Sequence, residues 1–226
     1  MTGASRGIGL AIAQALVDEG VHVIGAAREA PEAGGPHGRG GTFDFQTADL
    51  SNDVGAREFA DSVTGPIDIL VNNVGSAPAR PDGFSSISDA QWLQSLSLNL
   101  LAAVRTTRVF VPRLNAGAAI VMIASENSIL PDPLVMDYSA AKAAALSFTK
   151  SLSKELAPGG IRVNSVSPGP VATDLWLGSN GVAETTARAT GRTPQEVRAG
   201  AEAVIPTGRF TQPEEVARLV LVLVSP

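Results

Sequence analysis

Residues 2–9 read Thr2-Gly3-Ala4-Ser5-Arg6-Gly7-Ile8-Gly9, and the fold turns on them. Glycines at 3, 7 and 9 permit a tight turn and let the backbone approach a ligand closely. Residues 7–19 then carry apolar side chains at helical spacing. The start of such a helix points free N–H groups, and the positive end of its dipole, at an anion such as a pyrophosphate. A Gly-rich turn alone also describes a plain helix-entry loop. Here a short apolar run, 21–26, follows the helix directly, and that order is what a βαβ unit requires.

Working outward, helical and strand-like segments alternate along the chain. Residues 30–41 hold five glycines and two prolines, which makes them a loop. Strands are expected at 42–46, 67–71, 118–124 and 161–166. The run Ile67-Asp68-Ile69-Leu70-Val71 is of the buried type found in parallel sheets. Helices are expected at 53–63, 88–114, 136–156 and 213–224. Residues 171–205 read as long and irregular, with one helical piece after Thr193-Pro194, a cap followed by proline in the first turn. Alternation of this kind gives an α/β fold, a doubly wound parallel sheet with helices on both faces. No repeat or linker divides the chain, so residues 1–226 are expected to form one domain.

Composition narrows the function. The 226 residues are 44% hydrophobic and 17% charged, with a net charge of −5. That balance is globular and offers no basic surface for nucleic acid or an anionic membrane. Cysteine is absent, which excludes disulfides and thiolate metal sites and fits a cytoplasmic location. The two histidines, His22 and His37, are too few and too scattered for a metal centre. No apolar run is long enough to span a bilayer, and no signal-peptide pattern opens the chain.

The chemistry centres on the only tyrosine, in Tyr138-Ser139-Ala140-Ala141-Lys142. On a helix, residues four apart share a face. Reducing a carbonyl needs a proton donor at oxygen while hydride reaches carbon. A phenol titrating near its ordinary value of about 10 is a poor partner at neutral pH; a neighbouring ammonium is expected to lower it. Tyr-x-x-x-Lys alone is common by chance. Ser125 ends the strand expected at 118–124, where its hydroxyl can bind a substrate oxygen. Asn72-Asn73-Val74-Gly75 closes another strand, and Asn99 stands within a helix, which asparagine disfavours. After the second strand, where a carboxylate often holds the adenosine ribose, the chain reads Ala26-Ala27-Arg28. With Arg6 in the loop, two guanidinium groups favour a 2′-phosphate, and so NADP(H) over NAD(H).

These residues, in this order, resemble the short-chain dehydrogenase/reductase family, in particular its 3-oxoacyl-ACP-reductase-like members. The resemblance runs from Thr2 to about Pro226. It implies a Rossmann-type fold and a catalytic tetrad of Asn99, Ser125, Tyr138 and Lys142. Asn99 would hold a helix kink and a water that relays protons to Lys142, and Lys142 would also bind the nicotinamide ribose. The implied cofactor wall comprises Thr2, Gly3, Ser5, Arg6, Gly7, Ile8, Gly9, Arg28, Asp49, Leu50, Asn73, Gly75, Tyr138, Lys142, Pro168, Gly169, Val171 and Thr173. Asp49 and Leu50 match the place where the family caps the adenine amine. Residues 168–173 match its nicotinamide segment, and 175–205 its substrate lid. Trp176, Leu177 and Val182 are then candidates for an apolar pocket, whereas Glu184, Arg188, Arg192, Glu196 and Arg198 face solvent. Two departures stand near the site: Val74 where alanine is usual, and Glu126-Asn127 where a second serine is common.

The implied activity interconverts a ketone or aldehyde with an alcohol, without nucleic acid, membrane or metal. The helix around 140–152 is apolar on almost every side, and in this family such a helix packs against another subunit, so a homodimer or homotetramer is expected. The family also implies a strand before Thr2 and another after the last helix that these 226 residues do not contain, which gives the expectation of truncation at both ends. The alternative reading is a dinucleotide-binding regulatory or inactive member of the same fold.

Overall fold

The computed structural model describes residues 1–32, 34–38 and 40–226. Ala33 and Arg39, within the expected loop 30–41, lie outside the described residues. Helix α1 (Gly7–Asp18) leads into strand β1 (His22–Ala27), which pairs in parallel with β2 (Thr42–Thr47). Helix α2 (Asp53–Ser62) precedes β3 (Ile67–Asn72). Strands β4 (Leu114–Ile123) and β5 (Arg162–Val166) complete a second parallel set in the order β3-β4-β5.

Met1 and Thr2 join the two sets. Thr2 forms a parallel bridge with Ala26, and its N–H donates to the Val71 carbonyl at 2.9 Å. Ala26 N–H donates to the Met1 carbonyl at 2.9 Å, and the Met1 nitrogen donates to the Ile24 carbonyl at 2.6 Å. The central position expected of a full strand is thus spanned, in this chain, by two residues.

Side chains alternate across a strand, and the two faces bury separate cores. Val71, Val121 and Ile123 point to one face with Ile12, Leu16 and Val17 of α1. Ala217 and Val220 of the last helix, α9 (Pro213–Val224), join them there. Leu70 and Ile120 point the other way, against Phe59 of α2 and Phe110. The last two rings meet edge to face at 5.2 Å between centroids, a favoured aromatic geometry. Helices therefore cover both faces, as the alternation of segments predicts.

The helix expected over 88–114 is interrupted. It comprises α3 (Asp89–Leu96), a π turn at Ser97–Leu101 and α4 (Ala102–Phe110), with a 3-10 turn over Val111–Arg113. Pro112 lies in that turn, where its ring cannot continue a helix, and β4 begins at once at Leu114. The first residues of β4, Asn115 to Gly117, are exposed, so hydrophobicity marks the strand only from residue 118. Helix α5 (Met136–Leu156) has the bounds expected. Its residues Ala140 and Ala143 are exposed, so the chain by itself does not bury this helix all round. The region expected to be irregular holds three helices: α6 (Asp174–Leu177), α7 (Val182–Thr190) and α8 (Pro194–Val204). Thr193 and Glu196 form the capping box of α8, as the Thr193-Pro194 signal predicts. Helix α7 contains three threonines, poor helix formers that hide it from a propensity reading.

Candidate active site

A cleft of about 860 Å³ opens over the carboxyl ends of the strands. At one end lies the loop 2–9. Arg6, extended at φ −159° and ψ 171°, precedes α1; no side chain caps the helix and its first turn holds no acid. The open N–H groups of that turn and its dipole fit an anion. A Cβ at Gly9 would lie 1.9 Å from the Gly3 carbonyl oxygen, so only glycine lets α1 close onto the loop. Asn73 braces the turn by donating from Nδ2 to that carbonyl at 3.0 Å. These features fit the pyrophosphate of a dinucleotide.

Almost every residue assigned to the cofactor wall does line the cleft: Gly3, Ser5, Arg6, Gly7, Ile8, Gly9, Arg28, Asp49, Leu50, Asn73, Gly75, Tyr138, Lys142, Pro168, Gly169, Val171 and Thr173. Thr2 does not line it. It is 2% exposed, and its Oγ1 accepts from the N–H groups of Asn73 at 2.9 Å and Val74 at 3.3 Å. Thr2 therefore holds the end of β3 beneath the loop. Asp49 is held by Ser51, whose N–H donates at 3.0 Å, and this bonding with Ser51, together with Arg28, keeps its carboxyl below the ordinary range. Glu29, beside Arg28, also lines the wall.

At the floor, Tyr138 and Lys142 share one face of α5, with Nζ 5.8 Å from the ring centroid. Lys142 is buried and donates to the Ile123 carbonyl at 2.8 Å. Burial pulls its ammonium down to about 8. Burial also pushes the Tyr138 phenol above its ordinary value; the neighbouring Ser125 hydroxyl opposes this and the Glu126 carboxylate adds to it. The lowered phenol expected from the sequence is thus not produced by the protein's own groups, because desolvation of the phenolate outweighs them. Ser125, 7% exposed, follows the end of β4, and its Oγ accepts from Asn127 N–H at 3.2 Å.

Asn99 lies in the π turn, 2% exposed and outside the cleft wall. Its Nδ2 donates to the carbonyls of Ser95 at 3.1 Å and Ser76 at 2.9 Å, and its Oδ1 accepts from Ser76 N–H at 2.9 Å. The asparagine that looks out of place in a helix is the group that satisfies the widened turn and fixes the loop after β3. A Cβ at Gly75 would stand 2.9 Å from Asn99 Oδ1 and 3.3 Å from Lys142 Nζ. Asn99 and Lys142 thus flank one glycine, and the four residues expected to form the tetrad, Ser125, Tyr138, Lys142 and Asn99, are brought together.

The far wall is formed by Asp174, Leu175, Trp176, Val182, Thr186, Val197 and Ala201. Trp176 packs edge-on against Phe210 at 5.2 Å; Leu177, also expected in the pocket, is outside it. Of two further features, Glu126 is the departure from the family pattern noted after Ser125, and a buried ion pair carries little sequence signal. Glu126 faces the cleft, its Oε2 2.8 Å from where a Cβ on Gly169 would lie. Asp137, next to Tyr138, is fully buried and paired with Arg80, through Nη2 at 2.6 Å and Nε at 3.3 Å. Arg80 lies in an irregular loop, and no motif marks it.

The sequence profile of the short chain dehydrogenase family matches residues 1–181. The chain is 31% identical over 234 residues to the 3-oxoacyl-[acyl-carrier-protein] reductase of Vibrio harveyi, covering 100% of this chain and 88% of that protein. It is 34% identical over 245 residues to the 2,3-dihydro-2,3-dihydroxybenzoate dehydrogenase of Bacillus subtilis, covering 100% and 87%. Among solved structures, L-sorbose reductase from Gluconobacter frateurii complexed with NADPH and L-sorbose superposes with a TM-score of 0.87 at 30% identity, covering 100% of this chain and 88% of that one. The match in sequence, fold and cleft makes this chain a member of the short-chain dehydrogenase/reductase family, an NAD(P)-dependent oxidoreductase.

Proposed function

We propose that the protein interconverts a ketone or aldehyde with its alcohol, prefers NADPH, and uses Tyr138 as general acid and base. The observation that carries this reading is the meeting of Tyr138, Lys142 and Ser125 on the floor of a cleft whose other end is an uncapped helix start. Bound along that cleft, a nicotinamide dinucleotide would supply or accept a hydride at the substrate carbon. The open N–H groups of α1 would hold its pyrophosphate, with Asp49 and Leu50 at the adenine and residues 168–173 at the nicotinamide. Arg6 and Arg28 favour a 2′-phosphate, and the L-sorbose reductase relative was solved with NADPH.

The Ser125 hydroxyl orients the substrate oxygen. In reduction the Tyr138 phenol gives that oxygen its proton; in oxidation the phenolate takes it back. A phenol held above its ordinary range rests protonated at neutral pH, which suits the reductive direction. The Lys142 ammonium, held at about 8, stays charged at pH 7 and stabilises the phenolate left behind. Asn99 and Gly75 fix where that ammonium stands, and Asn99 relays protons to it through water. The α6–α8 segment closes over substrate. The exposed small residues Ala140 and Ala143 of α5 support a homodimer or homotetramer, which sedimentation tests.

A panel of ketones and secondary alcohols with both cofactors tests the reading. It predicts a change in the absorbance of the reduced nicotinamide, faster with NADPH. Cofactor binding without turnover of any substrate would instead support a regulatory dinucleotide binder.

A further inference from the structure

We propose that Glu126 makes the pocket select carbonyl substrates bearing a hydrogen-bond donor, a hydroxyl or an ammonium, near the reacting carbon and reject those bearing a carboxylate there. The inference rests on the carbonyl-reductase reading above.

Glu126 directly follows Ser125, and its own N–H donates to the Pro168 carbonyl at 2.9 Å. That bond anchors the residue between the end of β4 and the segment at 168–173. Its side chain stands over Gly169, 2.8 Å from a would-be Cβ. It is close enough to Tyr138 to raise the phenol. A substrate whose oxygen meets Ser125 and Tyr138 must therefore place its neighbouring atoms beside this carboxylate.

The surrounding charge does not neutralise it. Asp132 and Asp174 line the same cleft. Among the described residues, no ion pair engages Glu126, Asp132 or Asp174, and the Glu126 carboxylate accepts no hydrogen bond. Arg80, the nearest guanidinium along the loop after β3, is committed to Asp137. Lys142 is directed at the Ile123 carbonyl. Arg6 and Arg28 belong to the phosphate loop and the end of β1. The half of the cleft that receives substrate thus carries acceptors in excess. Glu126, Asp132 and Asp174 are all exposed, so an anion held there meets like charge and a donor finds an accessible carboxylate.

The test is a matched series of butanone derivatives, CH3-CO-CH2-CH2-X, reduced at pH 8 with NADPH: X is methyl, hydroxyl, ammonium or carboxylate. For the native chain, kcat/KM should rank ammonium and hydroxyl above methyl, and carboxylate about 10-fold or more below methyl. Glu126→Gln and Glu126→Ser should each raise the carboxylate-to-methyl ratio about 10-fold and abolish the ammonium advantage. Ratios within one variant cancel any common loss of rate. Turnover with unshifted ratios overturns the inference and leaves the reductase reading intact. No turnover across the series, with NADPH still bound, overturns both.

Discussion

The Arg80–Asp137 pair offers a sharp perturbation. Asp137 is fully buried and the Arg80 side chain is 12% exposed, so neither charge has water to fall back on. Arg80→Met leaves the stem volume and removes both donors, stranding a carboxylate in the first turn of α5. Breaking a buried pair by one partner costs about 3–5 kcal/mol, whereas an exposed pair is worth about 0–1. For a chain of this size each kcal/mol moves Tm by about 2–4 °C, so the variant should melt about 6–20 °C lower. The Arg80→Met/Asp137→Leu double variant removes the stranded charge and should recover most of the loss. Calorimetry with matched denaturant melts measures both. A single-variant loss under about 1 kcal/mol, or a double variant worse than the single, would refute the reasoning.

The remaining predictions concern the floor and walls of the cleft. Lys142 is a buried cation lowered from 10.5 to about 8; the folded state therefore binds fewer protons than the unfolded state between those values, and stability rises with pH across that window. The 2.5-unit gap is about 3 kcal/mol of burial cost, present in full below pH 8; less about 1 kcal/mol for the lost bond to Ile123, Lys142→Met should be roughly 2 kcal/mol more stable than the native chain at pH 7, with the advantage gone near pH 10. Equal stabilities at pH 7 in urea melts would contradict this. Gly75→Ala pushes a methyl between Asn99 and Lys142 and should lower kcat about 10- to 100-fold with a small change in Tm; steady-state kinetics check it. Arg28→Ala should raise KM for NADPH about 10-fold while leaving that for NADH nearly unchanged, and equal effects on both would remove Arg28 from 2′-phosphate recognition.

Much of this was legible because the deciding signals are local. The glycines at 3, 7 and 9, the i,i+4 spacing of Tyr138 and Lys142, and the β3 and α5 runs each report a conformation within a few residues. Asn99 was readable as an anomaly, a weak helix former inside a helix; only the fold shows that it satisfies a π turn and touches the loop after β3. Boundaries failed where tertiary context overrides local pattern: the exposed start of β4 at Asn115, the Thr-rich α7, and the break at Pro112. The direction of the Tyr138 shift is not legible in sequence, where the lysine is visible and the depth of burial is not. Arg80–Asp137 is a contact between distant residues that no spacing announces; Glu126 is visible as a departure from the family pattern, but its place over Gly169 is not.

The central claim is that Tyr138 delivers the proton at the substrate oxygen. Its most direct test is single-turnover reduction of a responsive ketone by NADPH, with the native chain and Tyr138→Phe side by side and cofactor affinity followed by fluorescence. Tyr138→Phe should lose turnover by at least about 1,000-fold, with NADPH affinity within a few-fold of native. Turnover by Tyr138→Phe at a rate near native would contradict the claim.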